Sequence, residues 1–126
     1  MFGKYRKSRK PHETIASIVA WQEEVFPDAS LSKQLEKYQD EREEYLATIK
    51  HKERIAEMAD LFIVACNVSR FSSYAALECF GDIEWLMKVD GVSSHKLAQA
   101  IDEKMALNRR RNWNYLGGKY QHKNEQ

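Results

Sequence analysis

The sequence predicts an all-α fold, a helical bundle of four to five helices. Glycine occurs five times and proline twice in 126 residues, and alternating β-branched runs are few. Hydrophobic residues make up 43% of the chain and charged residues 31%, a composition typical of soluble globular proteins and unlike that of disordered chains. The length suits one domain and is too short for two.

The first half of the chain predicts two helices. Pro11 precedes a run from 12 to 26 whose apolar residues recur at roughly helical spacing. Ser30 or Ser32 can cap a second helix that reaches about Lys50. Its apolar stripe, which Arg42 interrupts, consists of Leu31, Leu35, Tyr38, Tyr45 and Ile49.

Three further helices are predicted. The third runs from about Lys52 to Arg70, and its stretch 61–66 is apolar on every side, which predicts a central, fully buried helix. Ser72 or Ser73 can cap the fourth, which reaches about Lys88, although Gly81 weakens it by roughly 1 kcal/mol. Asp90-Gly91 is a stop signal, and Ser93 or Ser94 can cap a last helix to about Arg111.

These elements divide the chain into a basic N-terminal tail (1–10), a helical domain (11–113) and a polar C-terminal tail (114–126). The basic run at the start favours a solvated tail over a phosphate-binding segment. Cys66 and Cys79 are too few for a disulfide framework, so we expect reduced core thiols. The apolar run 15–20 is too short for a signal or membrane segment, and we expect a cytoplasmic protein without a membrane partner.

Two pairs of carboxylates stand out on neighbouring helices. Positions three apart lie on one helix face, so Glu41 with Glu44 and Glu57 with Asp60 each present two carboxylates side by side. If the two helices pack antiparallel, the pairs face each other, and four oxygen ligands suit Mg²⁺, with Mn²⁺ as a substitute.

Most carboxylates at this spacing are solvated surface charges, which is the alternative interpretation. Glu57 and Asp60, however, share a helix face with Val64 and Asn67, and Asp60 directly precedes the all-apolar stretch. Partly buried carboxylates are costly without a cation. This context favours a metal site.

The last helix carries a stripe that changes from apolar to cationic: Leu97, Ile101, Lys104, Asn108 and Arg111. Its end could bind phosphates, although basic residues in a last turn also complement the helix dipole. We expect Trp85 in the core, whereas Trp21 and Trp113 fit either the core or a surface that stacks on a base. The four histidines lack the spacing of a zinc or di-iron site.

These motifs resemble those of the MazG-like all-α nucleotide pyrophosphohydrolases. Asp40-Glu41-Arg42-Glu43-Glu44 and, after twelve residues, Glu57-Met58-Ala59-Asp60 are similar to that family's EExxE and ExxD pair. The segment WQEEVFPD (21–28) resembles the opening segment of phage and bacterial members, and Lys37 precedes the acidic motif. Lys104, Asn108, Arg111 and Trp113 match the closing K-x-x-x-N-x-x-R-x-W.

The resemblance implies Mg²⁺-dependent hydrolysis of a nucleoside or deoxynucleoside triphosphate between its α and β phosphates. Glu41, Glu44, Glu57 and Asp60 would be the metal ligands, and the metal would lower the pKa of a water that attacks the α phosphorus. Lys104 and Arg111 would stabilise the leaving pyrophosphate and Asn108 would orient it. The remaining candidate substrate contacts are Lys37, Asn67, Trp21 and Trp113.

Asp40 stands where the family pattern has glutamate, one methylene longer. If that position activates water, Asp40 does so with altered geometry, or Glu41 or Glu43 takes part; Asp40 and Glu41 are the catalytic candidates. The family also implies a homodimer or homotetramer, which the all-apolar third helix favours. The alternative function is a catalytically silent helical oligomer that binds nucleotide or nucleic acid through its basic ends. We expect a nucleotide rather than a nucleic acid as partner.

Overall fold

The computed structural model describes residues 12–111, 113–116 and 119–122. Five helices follow one another in this part of the chain: α1 (Ile15–Val25), α2 (Leu31–Ala47), α3 (His51–Ser69), α4 (Ser73–Asp90) and α5 (Ser94–Arg110). Two short strands come after them, β1 (Trp113–Leu116) and β2 (Lys119–His122). The predicted bundle of helices is confirmed, and the strands add a feature that the prediction lacked.

Side-chain caps set the starts of four helices. The hydroxyls of Ser30, Ser72 and Ser93 each accept a hydrogen bond from the backbone N–H three residues later. In each predicted pair of serines the first is the cap, and the second is the first or second residue of the helix. Thr14 caps α1 and forms a reciprocal capping box with Ser17.

Helix α3 is the centre of the bundle, as its all-apolar stretch predicts. It contacts each of the other four helices. Leu61, Ala65, Cys66 and Val68 are completely buried. Because a single chain already buries most of this apolar stretch, its apolar character supplies no argument for an oligomer, and the oligomeric state stays a prediction.

The apolar stripe predicted for α2 is only partly buried. Tyr38 and Tyr45 lie in the core, whereas Leu35 and Ile49 are exposed. The helix ends at Ala47, before the predicted end, so Ile49 lies beyond it. Arg42, which interrupts the stripe, donates from Nε and Nη2 to the carboxylate of Asp82 on α4 at 2.8 and 2.9 Å.

Helix α4 runs without a break through Gly81 and ends at Asp90. The capping residue that follows, Gly91, has a φ of 66°, the left-handed conformation that favours glycine. The helix buries Ala76, Cys79, Ile83 and Leu86. Trp85 is 57% exposed, which corrects its prediction as a core residue. Trp85 lies about 100° around the helix from Leu86 and therefore misses the buried stripe.

Residues 114–126 were predicted to form a polar tail, but residues 114–116 and 119–122 lie in two β-strands. Strands β1 and β2 pair antiparallel, with Trp113 opposite His122 and Leu116 opposite Lys119. The predicted basic tail (1–10) lies outside the described residues. Within the described part of the chain, none of the helices has both the length and the apolar character that crossing a membrane requires.

Candidate functional site

A cavity of about 510 Å³ lies between α1, α2, α3, α5 and Trp113. Its wall brings together four kinds of side chain: carboxylates, cations, aromatic rings and amides, with two aliphatic residues beside them. The carboxylates are Glu41, Glu44, Glu57 and Asp60, and the cations are Lys37, Lys104 and Arg111. The other lining residues are Trp21, Phe26, Trp113, Gln22, Gln34, Asn67, Asn108, Ile63 and Val64.

Three glutamates converge at one side of this cavity. Helix α2 presents Glu41 and Glu44, α3 presents Glu57, and one carboxylate oxygen from each lies within 4.8 Å of the others. Opposite ligands of an octahedral Mg²⁺ are about 4.2 Å apart, twice the Mg–O distance. Small side-chain movements would therefore bring all three onto one ion. We refer to Glu41, Glu44 and Glu57 as the glutamate cluster.

Burial and mutual repulsion disfavour the ionised form of these carboxylates. Oε2 of Glu41 and Oε2 of Glu57 are buried and have no hydrogen-bond partner among the described residues. Burial raises the pKa of Glu41 to about 7, and the nearby charge of Asp60 adds to the effect although Lys37 opposes it. The pKa values of Glu57 and Asp60 are raised as well, in both cases first by burial. A bound cation would relieve both penalties.

Asp60 faces the cavity and is near enough to raise the pKa values of Glu41 and Glu57, but it is not one of the three converging carboxylates. Its Oδ2 forms an ion pair with Nζ of Lys104 on α5 at 3.2 Å. Lys37 lies one turn before Glu41 on α2, with 3.7 Å between Nζ and Oε1. Two of the four predicted ligands thus have an ammonium group as their present neighbour, and Asp60 is not among the three carboxylates that converge.

Helix α5 brings its cationic end to the same cavity. Lys104, Asn108 and Arg111 line it and follow the four-three spacing predicted from the sequence. The described wall carries four carboxylates against three cationic side chains. A polyphosphate is itself strongly anionic, so a metal ion would have to accompany it into a cavity with this charge balance.

Three aromatic rings form another part of the wall. The centroids of Trp21 and Phe26 are 5.2 Å apart, those of Phe26 and Trp113 are 5.1 Å apart, and those of Trp21 and Trp113 are 6.2 Å apart. All three pairs meet edge to face. Trp113 donates from Nε1 to the carbonyl oxygen of Asn108 at 3.2 Å, which ties the ring to the end of α5.

Five lining residues were missed by the sequence prediction: Gln22, Phe26, Gln34, Ile63 and Val64. For Gln22 a signal exists, because it follows Ile18 by four residues on the buried stripe of α1. A polar residue in an apolar stripe indicates either a buried hydrogen bond or a site. The others resemble ordinary core residues, so spacing alone does not separate them from the rest of the core.

Asp40 is the catalytic candidate that the structure does not bring to the cavity. It is exposed and is not among the described lining residues. The residues of α2 that line the cavity, Gln34, Lys37, Glu41 and Glu44, follow one three-four stripe, and Asp40 lies about 100° around the helix from Glu41. The motif places Asp40 next to Glu41 in sequence, but the helical turn separates their side chains.

Comparison of the chain with protein-family models, with curated proteins and with solved structures finds no match.

Proposed function

We propose that the protein is a metal-dependent nucleoside triphosphate pyrophosphohydrolase. It would cleave a ribo- or deoxyribonucleoside triphosphate between the α and β phosphates and release a monophosphate and pyrophosphate. The observation that carries this proposal is the convergence of Glu41, Glu44 and Glu57 within 4.8 Å on the wall of a cavity that also has a cationic side and an aromatic side. The resemblance to the MazG-like pyrophosphohydrolases remains a prediction that points to the same activity.

The residues present fit a hard divalent cation, Mg²⁺ or Mn²⁺. Carboxylate oxygens are the ligands that both ions prefer, and the buried Oε2 atoms of Glu41 and Glu57 have no other described partner. The glutamate cluster would hold the ion, and Asp60 would complete the set once Lys104 releases it. When bound, such an ion polarises phosphoryl oxygens and acidifies water.

Lys104 and Arg111 would bind the phosphates that leave. Lys104 has a long flexible side chain, and its present partner Asp60 is a carboxylate whose charge burial disfavours, so Lys104 can exchange Asp60 for a phosphate oxygen. Arg111 lies seven residues, or about two helical turns, after Lys104 on the same stripe. Its planar guanidinium offers several donors in a geometry that suits phosphate. Asn108 and Lys37 supply additional donors on the same wall.

Hydrolysis needs a proton acceptor near the attacking water. The water oxygen forms a bond to the α phosphorus, the bond from that phosphorus to the bridging oxygen breaks, and the proton of the water passes to a carboxylate. We assign this role to Glu41 rather than Asp40, because Glu41 lines the cavity and Asp40 does not. Trp21 and Trp113 would stack against the base.

The silent helical module, the alternative function, depended on the basic ends of the chain. Arg109 is engaged within the fold, since its Nη2 donates to Glu13 at 2.9 Å. The described cavity wall also carries four carboxylates against three cationic side chains. We therefore favour the enzyme, in which the acidic residues have a role.

A homodimer or homotetramer remains a proposal. One face of α4 supports it, because four large apolar side chains, Tyr74, Leu77, Trp85 and Val89, are exposed there and lie within about one third of the helix circumference. A second copy of this chain is the occupant we propose. Sedimentation of the wild type should give a dimer or tetramer, and Trp85→Lys should shift it towards the monomer. A monomeric wild type would refute assembly without affecting the catalytic proposal.

The experiment that tests the activity is incubation with a panel of NTPs and dNTPs and Mg²⁺, with pyrophosphate and monophosphate as the measured products. We expect at least one nucleotide to be cleaved, and we expect the double variant Glu57→Gln with Asp60→Asn to be inactive while still folded. Release of inorganic phosphate and a diphosphate instead would show cleavage at the wrong bond. A panel without turnover would refute the proposal.

A further inference from the structure

Gln22 places a buried hydrogen-bond acceptor on the wall of the cavity. The residue is 2% exposed, and its Nε2 donates to the backbone carbonyl of Ile63 on α3 at 2.8 Å. Its Oε1 is buried and has no hydrogen-bond partner among the described residues. Buried amide oxygens are nearly always paired, so an unpaired one on a cavity wall indicates a ligand that donates to it.

The orientation of this amide is fixed by chemistry. A backbone carbonyl can only accept, so the nitrogen of Gln22 must face Ile63 and the oxygen must be the atom left over. Phosphate oxygens are acceptors too and would repel Oε1. Ile63, which accepts the hydrogen bond from Gln22, lies six residues after Glu57, or about 9 Å further along the axis of α3, which places the Gln22 amide towards the other end of the cavity from that carboxylate. The missing partner is therefore an N–H or O–H donor at some distance from the metal ligands.

Asn67 is oriented in the complementary way. It is buried, it lines the same cavity, and its Oδ1 accepts from Nη1 of Arg70 at 2.8 Å. A guanidinium can only donate, so Asn67 retains its NH₂ as the group free to turn to the cavity. It lies one helical turn after Ile63, the residue that holds Gln22. The two amides are thus neighbours, one with an acceptor and one with a donor.

We propose that Gln22 and Asn67 are the base-reading residues of this site: Gln22 Oε1 accepts an N–H of the base, and Asn67 donates to the adjacent ring carbonyl or ring nitrogen. This inference rests on the proposed function and deepens it. The substrate class is a triphosphate with a heterocycle that carries an N–H beside an acceptor, as every common base does on its pairing edge, rather than a polyphosphate without a base. Trp21, Phe26 and Trp113 on the same wall supply the flat apolar contact that such a ring needs.

The test measures binding, so that it does not depend on hydrolysis. Quenching of tryptophan fluorescence reports the affinity for α,β-methylene nucleoside triphosphates with Mg²⁺ and for inorganic tripolyphosphate. We expect Gln22→Leu to weaken binding of the best nucleotide about 10- to 100-fold and to leave tripolyphosphate binding unchanged. An equal loss for both ligands would overturn the inference.

A second comparison uses the wild type and remains decisive if Gln22→Leu fails to fold. In an analogue of the best nucleotide, methyl groups replace the hydrogens of the pairing-edge N–H groups. The wild type should bind this analogue about 10- to 100-fold more weakly, and Gln22→Leu should bind analogue and parent equally, because the interaction is already lost. Equal affinity of the wild type for both would refute base reading. Base-dependent binding without hydrolysis would instead refute only the proposed enzyme.

Discussion

Nζ of Lys104 on α5 lies 3.2 Å from Oδ2 of Asp60 on α3, within the cavity that holds the glutamate cluster. The ammonium group is thus the neighbour of a carboxylate that a metal ion would need. In the proposed enzyme the two cations compete: Lys104 holds Asp60 in the free protein and binds a phosphate when metal and nucleotide arrive.

Lys104→Met should separate these two roles. Without the competing ammonium, Mn²⁺ alone should bind more tightly, as titration calorimetry would show. Loss of a donor to the leaving pyrophosphate should lower kcat/KM about 100-fold. Lys33→Met is the matched control, because Lys33 forms an exposed pair with Glu36 at 3.6 Å on the same bundle and should change neither quantity. Weaker Mn²⁺ binding in Lys104→Met would contradict the competition.

Glu41→Gln should stabilise the metal-free protein and inactivate it. The substitution removes a charge that burial disfavours, so the free energy of unfolding without metal should rise. It also removes a proposed ligand, so Mg²⁺ should no longer raise the melting temperature and hydrolysis should fall to background. Asp40→Asn, one residue away but exposed, should keep activity within a few-fold and stability within about 0.5 kcal/mol. The opposite pattern would restore Asp40 as the catalytic residue.

The stability of the metal-free protein should decrease as the pH rises. The pKa of Glu41 is raised in the folded state from the usual 4.5 to about 7, so its contribution is fully present below about pH 4.5 and is lost as the pH rises through about 7. Glu57 and Asp60, whose pKa values are also raised, act in the same direction. Metal binding needs the ionised carboxylates, so Mg²⁺ should stabilise the protein more at higher pH.

Melting temperatures measured with EDTA and with Mg²⁺, at about pH 5.5 and about pH 8, check both trends. In Glu41→Gln the decrease between the two pH values should be smaller than in the wild type. If the melting temperature with EDTA instead rose between the two pH values, and by the same amount in the wild type and in Glu41→Gln, the result would argue against an ionised Glu41 that burial disfavours.

Asp82 should be the strongest polar contributor to packing between α2 and α4. Its carboxylate accepts two hydrogen bonds from Arg42 and one from the hydroxyl of Tyr38 at 2.8 Å. Burial raises the pKa of Asp82, but the hydrogen bond from Arg42 opposes this effect, and the pKa is lowered overall. The stabilisation is therefore present above pH 3.8 and is lost as the pH falls through the lowered pKa.

Asp82→Ala would leave the hydroxyl and the guanidinium without this partner, and we expect a loss of about 1–3 kcal/mol in denaturant unfolding. Glu36→Ala, which removes a carboxylate from an exposed pair, should cost less than about 1 kcal/mol. Equal costs for the two variants would show that the Arg42–Asp82–Tyr38 contacts add no more than a surface ion pair.

The sequence was informative wherever a local signal decides the structure. Capping serines, the Asp90-Gly91 stop and the all-apolar stretch of α3 predicted the helices to within a few residues, because caps and periodicity act within one element. The helical wheel also predicted that Glu41 with Glu44, and Lys104 with Arg111, share faces. What it could not predict is which face of one helix meets which face of another.

The errors follow from this limit. Asp60 forms an ion pair with Lys104, which is 44 positions away in sequence, so this contact could not be predicted from one helix. Trp85 and Asp40 lie just outside the stripes that face the core and the cavity, a rotation too small to judge before the helices are packed. The unpaired Oε1 of Gln22 can be recognised only once the structure shows that Nε2 of Gln22 donates to the carbonyl oxygen of Ile63.

The most direct test of the central claim is a crystal structure with Mn²⁺ and an α,β-methylene nucleoside triphosphate. We predict anomalous density for Mn²⁺ in contact with the carboxylates of Glu41, Glu44 and Glu57. The phosphates should extend from it to Lys104 and Arg111, and the base should lie against Trp21 and Trp113. Nucleotide and Mn²⁺ bound away from this cavity, or a nucleotide bound there without the glutamates as ligands, would contradict the account.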